Sequence, residues 1–591
     1  MNISAGANGS FSEKGDLHKR ATPVSADHSD IEVVGSIKYD HTKRKLKPRH
    51  IQLIGIAGTI GTALFVNIGR GLLAGGPASL LIAYTLWYDD LPTWSFPLSY
   101  SSAGVLLCYV LRSVGFPHFS RAWLLQKQEL MIAGMSEMAT YLPISSPFIT
   151  FAGRFVDPAL SVAAGYNFFI FQASLVPYEI TVCNLVLRYW TDAIPIWAVV
   201  LVCLVLYALL NFFAVSYYGE SEFWLSIGKV ILIVGLIIYT FVTMLGGNPE
   251  HDRFGFRYWE NPGPFAEFID TGDTGRFLGF VYCLVQAAFT IAGPEYVSMT
   301  AGEAENPRAV LPKAYKSIFY RLTAFFVLGS LAVGINVPYN DAGLIAVYAS
   351  SRRGAAASPY VRAMTRLRIK VLPDIVNALI LTSAFSAGNS TLYCATRSLY
   401  GLALEGKAPK VFRRCTKAGV PYMCVLVVFA ISMLAFLQVN NSAAVVLNWF
   451  VSLVTASQLI NFCVITFTYT RFKKACEAQG LSRDSLPYKA PFQPYAAWIA
   501  FGCCLFLTLI GGWQVFLKGA WDVPTFLFDY MMVGVFPVLF FGWKFIKGTK
   551  WLAPHEVDLT SGVEEIEEYT RNYTPSPSRS NAGKYLDKLF G

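Results

Sequence analysis

The sequence predicts an all-α multi-pass membrane protein of about twelve transmembrane helices, and three observations carry that expectation. Hydrophobic residues make up 54% of the 591 residues and charged residues only 15%, against about 25% charged in a soluble domain. Apolar runs are long: Ala496 to Leu517 holds no charge, and Phe223 to Leu245 holds one, Lys229. Each exceeds the roughly 20 residues that cross a hydrocarbon layer of about 30 Å. In lipid the backbone must satisfy its own hydrogen bonds, and runs of this length do so as helices rather than barrel strands. Finally, the basic residues behind the net charge of +10 sit in short loops between apolar runs. That is the pattern of topology signals in a membrane protein, not of a nucleic-acid binder.

In chain order we read a polar tail (1–47), a membrane domain (48–546) and a second polar tail (547–591). The expected spans are 51–72, 77–142 (interrupted), 161–187, 194–217, 223–245, 277–301, 321–338, 371–398, 422–438, 443–469, 495–517 and 524–546. Met1 to Arg49 is polar, so no cleaved signal peptide is expected. Basic loops precede span one ("KRKLKPR") and follow spans six, eight and ten ("NPRAVLPKAYKSIFYR", "GKAPKVFRRCTK", "RFKKACEAQGLSR"). With twelve spans all four fall on one side, expected to be cytoplasmic together with both termini. Gly246 to Phe268 then falls outside. One conflict stands: 351–370 is basic, with Arg352, Arg353, Arg362, Arg366, Arg368 and Lys370, yet falls outside by count.

The second span is abnormal. Pro77 to Trp87 is apolar but covers only about 16 Å at 1.5 Å per residue. "YDDLPTWSFPLSYSSAG" follows, and no helical pattern returns until Leu130. Removing 88–129 fuses "PASLLIAYTLW" to "LMIAGMSEMATYLP", one full crossing. The segment reads as an atypical insertion, either a translated intron or a loop of the fold. Trp87-Tyr88 must be encoded TGG TAY, which contains the GT of a splice donor.

The eleven cysteines, Cys203, Cys283, Cys463, Cys503 and Cys504 among them, are scattered through apolar segments without metal-ligand spacing. They read as small core residues, and neither metal nor cofactor is expected. Six of the seven histidines (His18, His28, His41, His50, His251 and His555) lie in polar regions, and no nucleophile–base pattern or phosphate loop occurs. The reading is therefore not an enzyme.

Two spans carry helix breakers. "IGIAGTIGTALF" places Gly58, Gly61 and neighbouring threonines in span one, and "FTIAGPEYVSMTAGE" places Gly293-Pro294 in span six. Proline removes a backbone donor and clashes with the preceding turn. Two inverted five-helix repeats, each with a broken first helix, have interruptions at this spacing. Glycine-assisted helix packing is the competing explanation. Unwinding at 58–61 frees backbone donors and acceptors inside the membrane. The N-terminus of the resumed half-helix attracts a carboxylate, and freed carbonyls at 59 and 289–292 accept from an ammonium group. Such a site suits the zwitterionic head of an α-amino acid.

Further residues carry a resemblance: "RHIQLIGIAGTIGTALF", "SEMATYLPISSPF", "GRFVDPAL", "GESEFWLSIGKVILI", "FTIAGPEYVSMTAGEAENPRAVLPKA" and "SAFSAGNSTLYCATRSLYGLALEGKAPK". Over 48–546, apart from 88–129, the chain resembles the fungal amino acid permease family of the amino acid–polyamine–organocation superfamily. The resemblance implies two inverted five-helix repeats plus two helices, with helices 1 and 6 broken. It also implies proton-coupled import of L-amino acids at the plasma membrane, among lipids. By motif position, Gly61, Thr62 and Ala63 would hold the substrate carboxylate. Carbonyls of Thr59, Phe289 and Ala292 would hold its ammonium. The Phe289 ring would act as a lid, beside Gly293 at the break. Ala63 departs from the family's usual glycine.

Ionisable residues inside a span are functional candidates because burying charge in lipid is costly. Lys229, in "FWLSIGKVILIVG", stands where the resemblance places an ion site, so its ammonium is a candidate for proton coupling; snorkelling to the interface is the alternative. Glu295 adjoins the sixth-span break as a substrate contact, a proton-exchanging group or a structural acceptor. Glu179, in "SLVPYEIT", is a second proton-coupling candidate or a structural hydrogen-bonding group. Asn389 and Ser390 are candidates to face Lys229. An amino acid-sensing, transporter-like receptor is the alternative function, disfavoured by short tails.

Overall fold

A computed structural model describes residues 61–88 and 127–573, apart from 145–146, 192, 214, 291–293, 300, 302–303, 351–356, 417–419 and 491–492. The N-terminal tail, the first ten residues of span one, Thr59, Ala292, Gly293 and 89–126 lie outside the described residues.

The helices of the described residues are consistent with about twelve spans, eight of them long and apolar enough to cross a membrane by length and composition. By length alone Ala63–Trp87 is a single crossing, but Gly76 has φ +78° and Pro77 follows it. A side chain at Gly71 would come within 2.7 Å of Leu80. A straight helix holds those positions about 13 Å apart along its axis, so the chain reverses into a hairpin. Its arms are α1 (63–75) and the first part of α2 (77–88). The second part of α2 is Lys127–Tyr141. Both parts pack on α7, Pro307–Asn336. The others are α3 Pro158–Leu187, α4 Ile196–Phe213, α5 Val215–Met244, α6 Gly272–Ala288 with Pro294–Met299, α8 Leu372–Leu404, α9 Tyr422–Ser432 continued by a 3₁₀ turn to Val439, α10 Ala443–Ala478, α11 Tyr495–Ile510 and α12 Val523–Lys547.

The packing follows two five-helix repeats. α1 packs on α6, α2 on α7 and α3 on α8, each helix on its counterpart five spans later. α3 also packs on α10 as α8 does on α5, and α2 on α10 as α7 does on α5. Close backbone approach holds the α1–α6 pair. A Cβ on Gly75 would lie 2.4 Å from Cys283 Sγ, and one on Gly279 would lie 2.6 Å from the Ala74 carbonyl oxygen, the small-residue packing of membrane helices. α11 and α12 follow outside the repeats.

Several expected boundaries move: α5 starts at Val215 rather than 223, α8 runs to Leu404 rather than 398 and α11 ends at Ile510 rather than 517. α7 starts at Pro307 rather than 321, and α10 runs to Ala478 rather than 469. The turns added to these two carry Arg308, Lys313 and Lys316 in one helix and Arg471, Lys473 and Lys474 in the other. These turns are helical beyond the apolar run, and an apolar-run reading stops short of them. The conflict over 351–370 resolves in the tertiary structure. Arg362 pairs with Asp341 at 2.8 Å and Arg368 with Glu250 at 3.1 Å, while Arg366 donates to the Tyr258 hydroxyl at 2.8 Å. Three of these arginines thus have partners in Asp341 and in the 246–268 loop, while Arg352 and Arg353 lie outside the described residues.

Candidate functional site

The described part of α1 begins in a wide turn. The Thr62 carbonyl accepts from the N–H groups of Phe65, Val66 and Asn67 at 3.2, 2.8 and 3.4 Å, and Ala63–Asn67 forms a π-helical turn. Such turns concentrate at functional sites. The first N–H groups of a helix have no partner in its own ladder, so Gly61, Thr62 and Ala63 stand where a half-helix presents donors. In α6 the ladder ends at Ala288, Phe289 and Thr290 form a turn, and the helix resumes at Pro294.

Two adjacent residues of α3 bridge these breaks. The Thr62 hydroxyl donates to Glu179 Oε2 at 2.8 Å and lies 3.3 Å from the Tyr178 hydroxyl. The Tyr178 ring meets the Phe289 ring edge-on, centroids 5.1 Å apart. Glu179 therefore faces α1: a Cβ on Gly61 would come within 3.4 Å of its carboxylate. Gly388 of α8 permits the approach from the other side, where a Cβ would meet the Glu179 stem at 3.2 Å and the Tyr207 hydroxyl at 2.1 Å.

Lys229 is 2% exposed, so it does not snorkel. It lies close enough for its positive charge to act on the Glu179 carboxylate. Asn389 does not depend on it, accepting instead from Asn211 of α4 at 2.8 Å. Glu295 is 0% exposed. Its Oε1 accepts from Gln458 Nε2 of α10 at 2.9 Å, and its carbonyl accepts from Ser298 at 2.7 Å.

Past the first break, towards the 246–268 loop, the bundle is closed. Tyr348 donates to the Val66 carbonyl at 2.6 Å. The Arg70 guanidinium stacks 5.2 Å over the Tyr348 ring and donates to Asn448 of α10 at 2.7 Å. At the opposite end Arg483 forks onto Glu137 at 2.9 and 2.7 Å, and this hydrogen bonding raises the guanidinium's affinity for its proton. The described part of the C-terminal tail also docks there. Arg471 donates to the Leu552 carbonyl at 2.5 Å and Tyr141 to the Leu559 carbonyl at 3.0 Å, while Arg308 pairs with Glu567 at 3.6 Å.

The structure thus brings Gly61, Thr62, Ala63, Glu179, Phe289 and Lys229 towards one cluster, and braces Glu295 from α10. Tyr178, Gln458, Arg70 and Tyr348 escape the sequence reading. Tyr178 was open to inference, since it sits between Pro177 and a buried glutamate in "VPYEIT"; the other three become visible only by juxtaposition.

Fold and site define a polytopic membrane protein whose sixth span breaks beside a buried polar cluster at the start of the described part of α1. The amino acid permease family model matches residues 129–554. Similar proteins include a general amino acid permease of Saccharomyces cerevisiae, 44% identical over 540 residues covering 90% of this chain and 84% of the relative. A proline-specific permease of Emericella nidulans is 39% identical over 536 residues, 90% of each chain. A lysine-specific permease of Saccharomyces cerevisiae is 37% identical over 530 residues, 89% and 80% of the two chains. The chain belongs to the amino acid permease family: it is a multi-pass membrane protein of amino acid transport.

Proposed function

We propose that this chain is a proton-coupled symporter that imports an amino acid across the plasma membrane by alternating access. The observation that carries the reading is the contact of Thr62, at the start of the resumed half-helix, with a buried glutamate that feels a buried lysine. Substrate enters at the breaks. Its carboxylate takes the N–H donors at Gly61, Thr62 and Ala63, and its ammonium takes carbonyls at Thr59, Phe289 and Ala292. Phe289, packed on Tyr178, closes over the side chain. Carboxylate arriving beside Thr62 competes for the hydroxyl now given to Glu179. Charge at Glu179 and Lys229 then changes with loading, so proton movement and helix movement are linked.

The driving force is adequate. One proton descending about 100 mV supplies about 2.3 kcal/mol. At about 1.36 kcal/mol per tenfold, that sustains roughly 50-fold accumulation of a neutral substrate before any pH gradient is counted.

Both termini are assigned to the cytoplasm, with the 246–268 loop outside. The pairing of Arg362, Arg366 and Arg368 supports this by weakening the one opposing signal. Segment 88–129 is assigned as foreign to the fold: the family match begins at 129, and both parts of α2 pack on one helix. Sequencing of spliced transcripts tests that assignment, which fails if every mature message keeps these codons.

The central test is uptake of radiolabelled amino acids by cells expressing the chain with and without 88–129. Concentrative uptake that collapses with a protonophore is expected. Accumulation indifferent to the protonophore overturns proton coupling, and binding without translocation favours a sensor instead.

A further inference from the structure

Away from the breaks, α6 and α10 enclose a second cavity with the outer helices α11 and α12. Its polar wall includes Gln286, Asn448, Ser452, Thr455, Thr508 and Asp529. Asp529 is the one carboxylate on the wall, and neither lysine nor arginine lines it. This aspartate sits within an apolar membrane helix at 8% exposure, and its Oδ1 has no hydrogen-bond partner in the protein. Ser452 hydrogen-bonds this carboxyl group, and to stay ionised in such a setting it needs a counter-charge, failing which it takes up a proton.

The rest of the wall says what kind of counter-charge fits. Thr455 and Thr508 donate to carbonyls of their own helices, those of Val451 and Cys504, at 2.6 and 2.7 Å. Their hydroxyl oxygens are therefore left as acceptors. Acceptors around one carboxylate suit a cation that carries N–H donors. The rest of the wall mixes the apolar side chains of Val285, Val451, Ala456, Leu459 and Leu507 with Tyr282, Trp513, Gln514 and Thr525. A bare metal cation seeks a shell of oxygens, which a half-apolar wall does not supply, whereas an alkyl body suits it. Gly512 lets the end of α11 close on the acid, since a Cβ there would lie 2.6 Å from Asp529 Cβ. Asn448 belongs to this wall and also accepts from Arg70 of α1.

We propose that this cavity is a second binding site, separate from the breaks, that takes a small organic ammonium ion with a short alkyl body and uses Asp529 as its counter-ion. The proposal does not depend on proton coupling or on transport.

The full chain in lipid nanodiscs is titrated with n-butylammonium, with sodium chloride at matched ionic strength as control, following Tm by tryptophan fluorescence. A concentration-dependent rise with n-butylammonium alone is expected. Asp529→Asn should weaken the apparent affinity about 30-fold or more, as when one member of a buried charge pair is removed. An equal response in wild type and variant, or a rise with sodium alone, overturns the proposal. A response lost in Thr62→Val places the ammonium at the first break and overturns it as well. Should Asp529→Asn not fold, wild-type protein treated with a hydrophobic carbodiimide supplies a second readout. Modification of Asp529, mapped by mass spectrometry, is expected to slow with n-butylammonium; unchanged modification overturns the site.

Discussion

The start of the described part of α1 and the break in α6 each meet a buried carboxylate, and the two carboxylates are held differently. At the second, Glu295 is braced by Gln458, a neutral amide from α10. At the first, Glu179 is met by the Thr62 hydroxyl and by the charge of Lys229 from α5. α5 and α10 are counterparts in the two repeats, so one architectural position supplies a titratable amine to one break and a fixed amide to the other. Under the proposed function this contrast assigns coupling to the Thr62–Glu179 contact and a bracing role to Gln458.

The largest effect should come from removing the titratable partner. Lys229→Ala is expected to abolish concentrative uptake, reducing the roughly 50-fold gradient to equilibration, with surface expression intact. Normal accumulation by that variant would erase the distinction between the breaks. Gln458→Leu should leave uptake concentrative while destabilising the protein by about 1.5–3 kcal/mol, the range for a hydrogen bond to a charged group. This is read as a fall in Tm in nanodiscs. Loss of accumulation without loss of stability would move the coupling role to Glu295.

Thr62→Val removes the hydroxyl that links α1 to Glu179. Its apparent Km should rise about tenfold, the effect of about 1.4 kcal/mol. An unchanged Km would count against carboxylate binding at that half-helix.

The smallest effect is expected far from both breaks, at the tail. Burial pushes the Asp558 carboxyl up, but donors from Ser561 and Thr560 and the Arg154 charge outweigh it and hold it below the ordinary range. The folded value is depressed, so the contribution is complete above about pH 3.9, the unfolded carboxylate value. It is lost as pH falls through the lower folded value. Protection of 551–573 against hydrogen exchange, corrected for the intrinsic pH dependence of amide exchange, should therefore be unchanged between pH 7 and 5 and fall only below about pH 4. Asp558→Asn should loosen the tail by no more than about 1 kcal/mol, as for other partly exposed pairs. Release of the tail at pH 5 would contradict this assignment.

Much of this was written along the chain. Apolar runs and their loops marked twelve spans, because lipid permits no unpaired backbone and helices are the local solution. Gly293-Pro294 marked the break in α6, because a missing donor is a property of a single residue; the expected break at 58–60 lies outside the described residues. The α1–α2 hairpin at Gly76-Pro77 and the interrupted second span were legible for the same reason. Basic turns concealed the true ends of α7 and α10, since helical geometry continues where hydropathy stops. What the linear order could not decide was who meets whom. Tyr178 bridging the breaks, Gln458 reaching Glu295, and Asp341 and Glu250 absorbing the arginines of 362–368 all join residues far apart in sequence. Such pairings follow from how packed helices set their faces against each other, and that depends on the register of close contacts such as Gly75 on Cys283 and Gly388 on Glu179, which exists only once the bundle has formed.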